Sequence, residues 1–202
     1  MILLRHGQTA ANAAGLLLGR EDPPLTELGR RQARALAQLP GVAGARRVVT
    51  SPLRRSMETA EQLVAARVGG GRAATQVDLD DRWIEVNYGM YESMPLSQVP
   101  SSLWATWRSD PSWAPEGGES LTEVGLRVRS ACEDLAAEAT DGDVVVVSHV
   151  SPIKAAVAWA LGVGDQVVWR MFLDVAAACR ISIGPLGPTL RSFNETHHRP
   201  VA

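Results

Sequence analysis

Lysine is nearly missing from this chain. Lys154 is the only one, so the rest of its 20 basic residues are arginine. Twenty-two acidic residues oppose them and the net charge is −2. That balance offers no excess positive field, which argues against nucleic acid as a general partner. Cysteine is scarce as well. Cys132 and Cys179 cannot build a disulfide framework or a metal cluster, and they read as small apolar residues in a reducing compartment. No apolar run approaches the roughly 18 residues of a membrane span, so no membrane association is expected. The opening MILLRHG lacks the ordered charged region, apolar stretch and cleavage site of a secretory signal, and a cytoplasmic location is expected. A GxxxxGK[ST] loop is missing, which excludes a P-loop nucleotide site. So is any Asp/His/Glu set at metal-ligand spacing, so no metal and no other cofactor is expected.

What is present has the composition of a soluble globular protein, 46% hydrophobic and 21% charged over 202 residues. That length suits one domain, 1–202, burying roughly 70% of its unfolded surface without staples. Strand-length apolar runs alternate with helical periodicity. Residues 1–4 read as a buried strand ended by Arg5, His6 and Gly7. A helix is expected over 26–39, where Leu28, Ala35, Leu36 and Leu39 recur near helical spacing and Pro40-Gly41 stops it. A second strand covers 47–50, a helix about 54–67 follows, closed by Gly69, Gly70 and Gly71, and 75–79 can add an edge strand. Ser120 with Glu123 forms a capping box for a helix reaching about 139. The four valines at 144–147 give the strongest strand signal, buried on both faces. Helices over 152–161 and 166–172 and closing strands at 179–183 and 190–193 complete the pattern. Strands separated by helices imply an α/β fold with a mostly parallel sheet covered on both faces. Residues 94–118, rich in proline and carrying Trp104, Trp107 and Trp113, read as a small helical or loop insertion near the mouth of the site. Those tryptophans either pack as a surface subdomain or cover a ligand.

In such sheets, ligands sit beyond the carboxyl ends of the strands. Arg5 and His6 follow the first strand, residues 51–55 the second, and Ser148 and His149 the valine strand. Only two other histidines exist, His197 and His198, in a polar tail. Taken singly, each strand-end residue has a structural explanation. Together, two guanidinium groups and two imidazoles in one crevice suit a tetrahedral dianion, and phosphate is the obvious candidate.

These residues resemble a known family. RHGQT at 5–9 with Asn12 beyond it is similar to the signature of the histidine phosphatase superfamily, the phosphoglycerate mutase-like proteins. The resemblance extends, in the family order, through PLTELGRRQA (24–33), TSPLRRSMETA (50–60), DRWIEVNYGMYES (81–93), EGGES (116–120) and VVSHVSPI (146–153). It implies a three-layer α/β/α fold and a metal-independent phosphohistidine mechanism. On the matching positions it implies His6 as nucleophile, Arg5 and Arg55 as clamps on the phosphoryl oxygens, His149 as a contact from the opposite strand, Glu85 as proton donor and Asn12 as an accessory contact. Asp80, Asp81 and Glu92 are the fallback donors. Val150 stands where a second branch of the superfamily has an aspartate, so the chain resembles the branch that uses the earlier glutamate.

Three departures bear on the substrate. Val150, Ser151 and Pro152 replace glycines common after the second histidine, leaving the Val150 amide to face phosphate. Ser93 replaces a frequent glycine, and Leu18, before Gly19, occupies a position often polar. Leu18, Gly19 and Val150 are therefore candidate substrate contacts. The leading reading is a phosphomonoesterase for a small phosphorylated metabolite. One alternative is a cofactor-dependent phosphoglycerate mutase, disfavoured because 94–118 holds a single basic residue, Arg108. The other, from a different class, is a non-catalytic phosphoprotein-binding module. With Leu18, Val150 and the tryptophans at the mouth and no cation but Arg108, a carboxylate on the alcohol is expected to lack a partner, making 3-phosphoglycerate a poor substrate. The sequence sets neither the substrate's identity nor the oligomeric state.

Overall fold

Four consecutive valines can be buried only if both sides of their strand are covered, and the computed structural model, which describes residues 1–69 and 76–198, places them at the centre of the sheet. Strand β4 (Val144–Ser148) is buried at every position. It pairs in parallel with β1 (Ile2–Arg5) on one side and β2 (Arg47–Thr50) on the other. Beyond β2 lies β3 (Val77–Leu79), also parallel and at the edge, as expected. Beyond β1 the sheet turns antiparallel with β5 (Ala178–Gly184) and β6 (Gly187–Glu195), giving the order β3-β2-β4-β1-β5-β6.

Side chains alternate across a strand, so the valines divide between two cores. Val145 and Val147 join Ile2, Leu4, Leu36, Ala60 and Leu63 on the face covered by α2 (Glu27–Leu36) and α3 (Arg54–Gly69). Val144 and Val146 join Leu3, Val128, Cys132 and Ile153 on the face covered by α5 (Leu121–Glu138) and α6 (Val150–Leu161). Each fully buried valine contributes about 1.5–3 kcal/mol over an exposed one, before the entropy of ordering it. The result is a three-layer α/β/α fold. No helix among the described residues is long and apolar enough to cross a membrane.

Several boundaries differ from the sequence reading, each for a local reason. α2 ends at Leu36, not 39, because Gln38 and Leu39 donate to Ala35 and Leu36 three residues back and Pro40 disfavours helix before it. α6 begins at Val150, ahead of Pro152, since proline is tolerated in a first turn. The helix expected over 166–172 is a 3-10 segment, Asp165–Arg170. β5 and β6 form a longer hairpin than the apolar residues alone marked. Gly70, Gly71 and Thr75 lie outside the described residues. The capping box is present: Ser120 accepts from the Glu123 amide and the Glu123 carboxylate accepts from Ser120.

The 94–118 segment carries α4 (Ser101–Ser109), whose Leu103 and Trp107 are buried in the larger core. It is tied to the loop after α1 (Ala10–Ala13) by bonds from the Leu17 amide to the Met94 carbonyl and from the Leu96 amide to the Gly15 carbonyl. The loop after β1 is pinned from the other side. A Cβ at Gly29 would stand 2.1 Å from the Gln8 carbonyl oxygen, and one at Gly7 2.3 Å from that of Gly29. Gly29→Ala should therefore destabilise the fold by about 1–3 kcal/mol, measured as a lower denaturant midpoint; an unchanged midpoint would show that the two backbones are free to separate.

Candidate active site

The register of the sheet puts the strand-end residues side by side. Arg5 lies opposite Ser148, so the next residues, His6 and His149, are neighbours. The His6 amide donates to the Ser148 carbonyl at 3.0 Å, and the two imidazole centroids are 5.0 Å apart. Both rings are buried. His6 Nδ1 lies 2.7 Å from the Gly7 carbonyl. A carbonyl only accepts, so Nδ1 carries the proton and Nε2 holds the lone pair. His149 Nε2 reaches the hydroxyls of Ser51 at 2.7 Å and Ser56 at 3.2 Å.

Arg55, in the first turn of α3, is completely buried. Its Nη1 donates to the Glu21 carbonyl at 2.6 Å and its Nη2 to the Gly19 carbonyl at 2.7 Å. Its Nε is aimed between the imidazoles, 3.3 Å from His6 Nε2 and 3.3 Å from His149 Nδ1. Arg5 donates through Nη1 to the Leu173 carbonyl at 2.7 Å, while its buried Nε has no protein partner. Burial holds both imidazoles well below the ordinary histidine range, and the adjacent guanidiniums push the same way. Burial also brings Arg5 down to about 10, still charged at neutral pH.

Glu85 faces this group from the other side and is buried, not a surface carboxylate. Its Oε1 accepts from the amides of Val86 at 2.8 Å and Ser151 at 3.1 Å, and Oε2 from Val150 at 3.0 Å. The carboxyl group thus sits on the first amides of α6. The Val150 amide, expected to face phosphate, is committed to Glu85 instead. The fallback donors are occupied elsewhere. Asp80 accepts from Arg82, Asp81 is exposed, and Glu92 accepts from the amides of Gly19 and Arg20 at 2.6 and 3.0 Å.

Arg5, His6, Asn12, Leu18, Glu85 and Val150 line one cavity of about 260 Å³. Asn12 uses its Oδ1 to accept from Thr9, closing a capping box on α1. Gly19 is not a lining residue. It lacks room for a side chain, because a Cβ would stand 2.5 Å from the Val86 carbonyl oxygen, and its carbonyl holds Arg55. Its place is under the site, positioning the clamp. Trp104 and Trp107 reach the cavity wall, while Trp113 stacks edge-on behind Trp107 at 5.8 Å. Sequence reasoning missed Trp169, Phe172 and Lys154, which also line it. For Lys154 a signal existed: it lies four residues beyond Val150 on one helix, and such residues share a face. Its presence removes the premise that only Arg108 could meet a carboxylate; Arg108 itself lies over the Trp169 ring at 5.6 Å.

The α/β/α sheet with its paired strand-end histidines defines the phosphoglycerate mutase-like class. The model of the histidine phosphatase superfamily (branch 1) matches residues 1–196, and the chain belongs to that family. A bifunctional protein of Mycobacterium tuberculosis is 37% identical over 184 residues, which are 88% of this chain and 48% of that protein, so the chain spans about half the length of this relative. Phosphoserine phosphatase 1 of Hydrogenobacter thermophilus is 31% identical over 202 residues, covering 98% of this chain and 93% of its own. A mycobacterial glucosyl-3-phosphoglycerate phosphatase in complex with VO3 superposes with a TM-score of 0.86 at 28% identity, over 97% of this chain and 99% of that one.

Buried neutral imidazoles make a prediction about acid. The unfolded histidine takes a proton near pH 6.5, whereas the folded ones resist it. Their stabilising contribution is therefore complete above that pH and is lost as pH falls below it. In phosphate-free buffer the unfolding free energy should drop by up to about 1.4 kcal/mol per pH unit for each imidazole. His149→Gln should make that slope shallower by one proton, whatever its absolute stability; equal slopes would contradict the assignment.

Proposed function

We propose that this chain is a phosphomonoesterase that hydrolyses a small phosphorylated metabolite through a phosphohistidine on His6. One observation carries the reading: the His6 Nε2 lone pair, fixed by the Gly7 carbonyl, lies 3.3 Å from the Nε of a buried arginine. A phosphoryl group brought to that nitrogen meets the guanidiniums of Arg5 and Arg55 and the His149 ring on its equatorial oxygens. Fixed positive charge around those oxygens supplies most of the catalysis in phosphoryl transfer.

In the first step His6 Nε2 forms a bond to phosphorus, the ester P–O bond breaks, and Glu85 gives its proton to the departing alkoxide. In the second, Glu85 takes a proton from water, the hydroxide attacks phosphorus, and the P–N bond breaks to free phosphate and the neutral ring. Asn12, Leu18 and Val150 bound the space left for the alcohol. The relatives named for phosphoserine and glucosyl-3-phosphoglycerate support a small ester as substrate. We place it there in preference to a nucleic acid or a membrane, in a cytoplasmic protein working as one unit, 1–202, with 94–118 as a wall of the site. The mutase alternative is weakened because Arg108, the basic residue of that segment, is stacked on Trp169. A binding module without catalysis would have no need of a buried glutamate on the alcohol side.

His6→Ala should abolish turnover of an aryl phosphate. Glu85→Gln should separate substrates by leaving group. Nitrophenolate leaves unaided, whereas an alkoxide needs its proton, so kcat on alkyl phosphates should fall about 10²–10⁴-fold and far less on nitrophenyl phosphate. Equal losses on both would remove Glu85 from the acid role, and full activity of His6→Ala would end the phosphohistidine reading.

A further inference from the structure

The only lysine of the chain has a place that the reaction above does not use. Lys154 lines the cavity with Val150 and Ser151, which are four and three residues before it on α6 and so share its face. Side chains on a helix lean toward its N-terminus, which here is the end that holds Glu85. One helical turn, about 5.4 Å along the axis, separates the position of Lys154 from the amides on which Glu85 rests.

The other charged groups lining this cavity are anchored by the protein. Glu85 accepts three amides and Arg5 donates to the Leu173 carbonyl. Lys154 has no ion-pair or hydrogen-bond partner among the described residues, although it is partly buried. Burial lowers its proton affinity, the charge of Glu85 raises it, and that of Arg5 lowers it again. A partly dehydrated ammonium without a partner is unfavourable unless an anion arrives to meet it. Glu85, the anion of the same cavity, is already held by three amides, and the other walls, Leu18, Trp104, Trp169 and Phe172, supply no such group.

We propose that Lys154 binds a carboxylate on the alcohol portion of the substrate, so that the site selects phosphate esters of hydroxy acids. The proposal rests on the phosphatase reading and reverses the expectation that a carboxylate would find no partner. The phosphoryl group lies against Arg5, Arg55 and the histidines, and the carboxylate lies one helical turn along α6. The carbon chain between them packs on the aromatic wall. Lys154 is thereby a specificity residue and forms no bond to the reacting phosphorus.

Two esters of matched size test this: 3-phosphoglycerate, and glycerol 3-phosphate, in which a hydroxymethyl group replaces the carboxylate. Wild type should prefer 3-phosphoglycerate in kcat/KM. Lys154→Met and Lys154→Gln should each reduce that preference at least tenfold, chiefly through KM for the acid, and Lys154→Arg should keep most of it. A wild-type preference for glycerol 3-phosphate, or a ratio that both neutral variants leave unchanged, would overturn the proposal. Equal losses on both esters with a shifted pH profile would do so too, because Lys154 would then act through Glu85. If wild type hydrolyses neither ester nor nitrophenyl phosphate, it is the phosphatase reading that fails. Calorimetric binding of the same two esters to His6→Ala, with and without Lys154→Met, then decides the charge contact by itself.

Discussion

A guanidinium with no exposed surface is the constraint around which this molecule is arranged. An unpaired buried charge costs several kcal/mol, so Arg55 requires a full set of acceptors. It finds them in the carbonyls of Gly19 and Glu21 and in two imidazole nitrogens. These are dipoles, not carboxylates; Asp22, the nearest anion, lies 3.9 Å from Nη1. The charge is thus solvated mainly by dipoles, and its Nε is left directed at the space between the histidines. Burial, with the field of that charge adding to it, keeps both rings neutral. Stability and chemistry therefore rest on one group.

The acceptors of Arg55 belong to a loop, and a loop needs its own support. Glu92 provides it by gathering the amides of Gly19 and Arg20 onto one carboxylate. The next residue, Ser93, takes a left-handed backbone conformation with φ of 62°, one that glycine adopts without strain. Its hydroxyl donates to Glu21. Glu92, a fallback acid in the sequence, is in this way a foundation of the loop that holds Arg55. Gly19 has the same function from the other side, with no space for a Cβ and both backbone polar groups in use.

The parts legible in the sequence are those that a local pattern or a strand end determines. Four valines announced the central strand, Ser120 and Glu123 announced α5, and Arg5, His6 and His149 followed from strands whose ends converge. Arg55 belonged to the cluster after the second strand, whereas Glu85 came from the family resemblance, since its position does not stand out by periodicity. What stayed hidden depends on contacts between distant segments. Nothing near Val150 in the chain says that its amide is taken by a carboxylate 65 residues earlier. Trp169 and Phe172 reach the cavity only because the Asp165–Arg170 turn folds against α4. Lys154 was legible in principle through its four-residue spacing from Val150.

The fold is that of the family, and the lining of the cavity bears on what this member accepts. An aromatic and aliphatic wall lines the cavity with the ammonium of Lys154, and Arg5 and His6 stand at its other end. The proposed chemistry depends most on His6 Nε2 being the atom that accepts the phosphoryl group. Rapid mixing with a radiolabelled ester, quenching in alkali and mapping of the labelled peptide measure this directly. The label is predicted on the peptide containing His6, at up to one equivalent and lost in His6→Ala. Label on His149, or steady turnover with no labelled enzyme at any time, would contradict it.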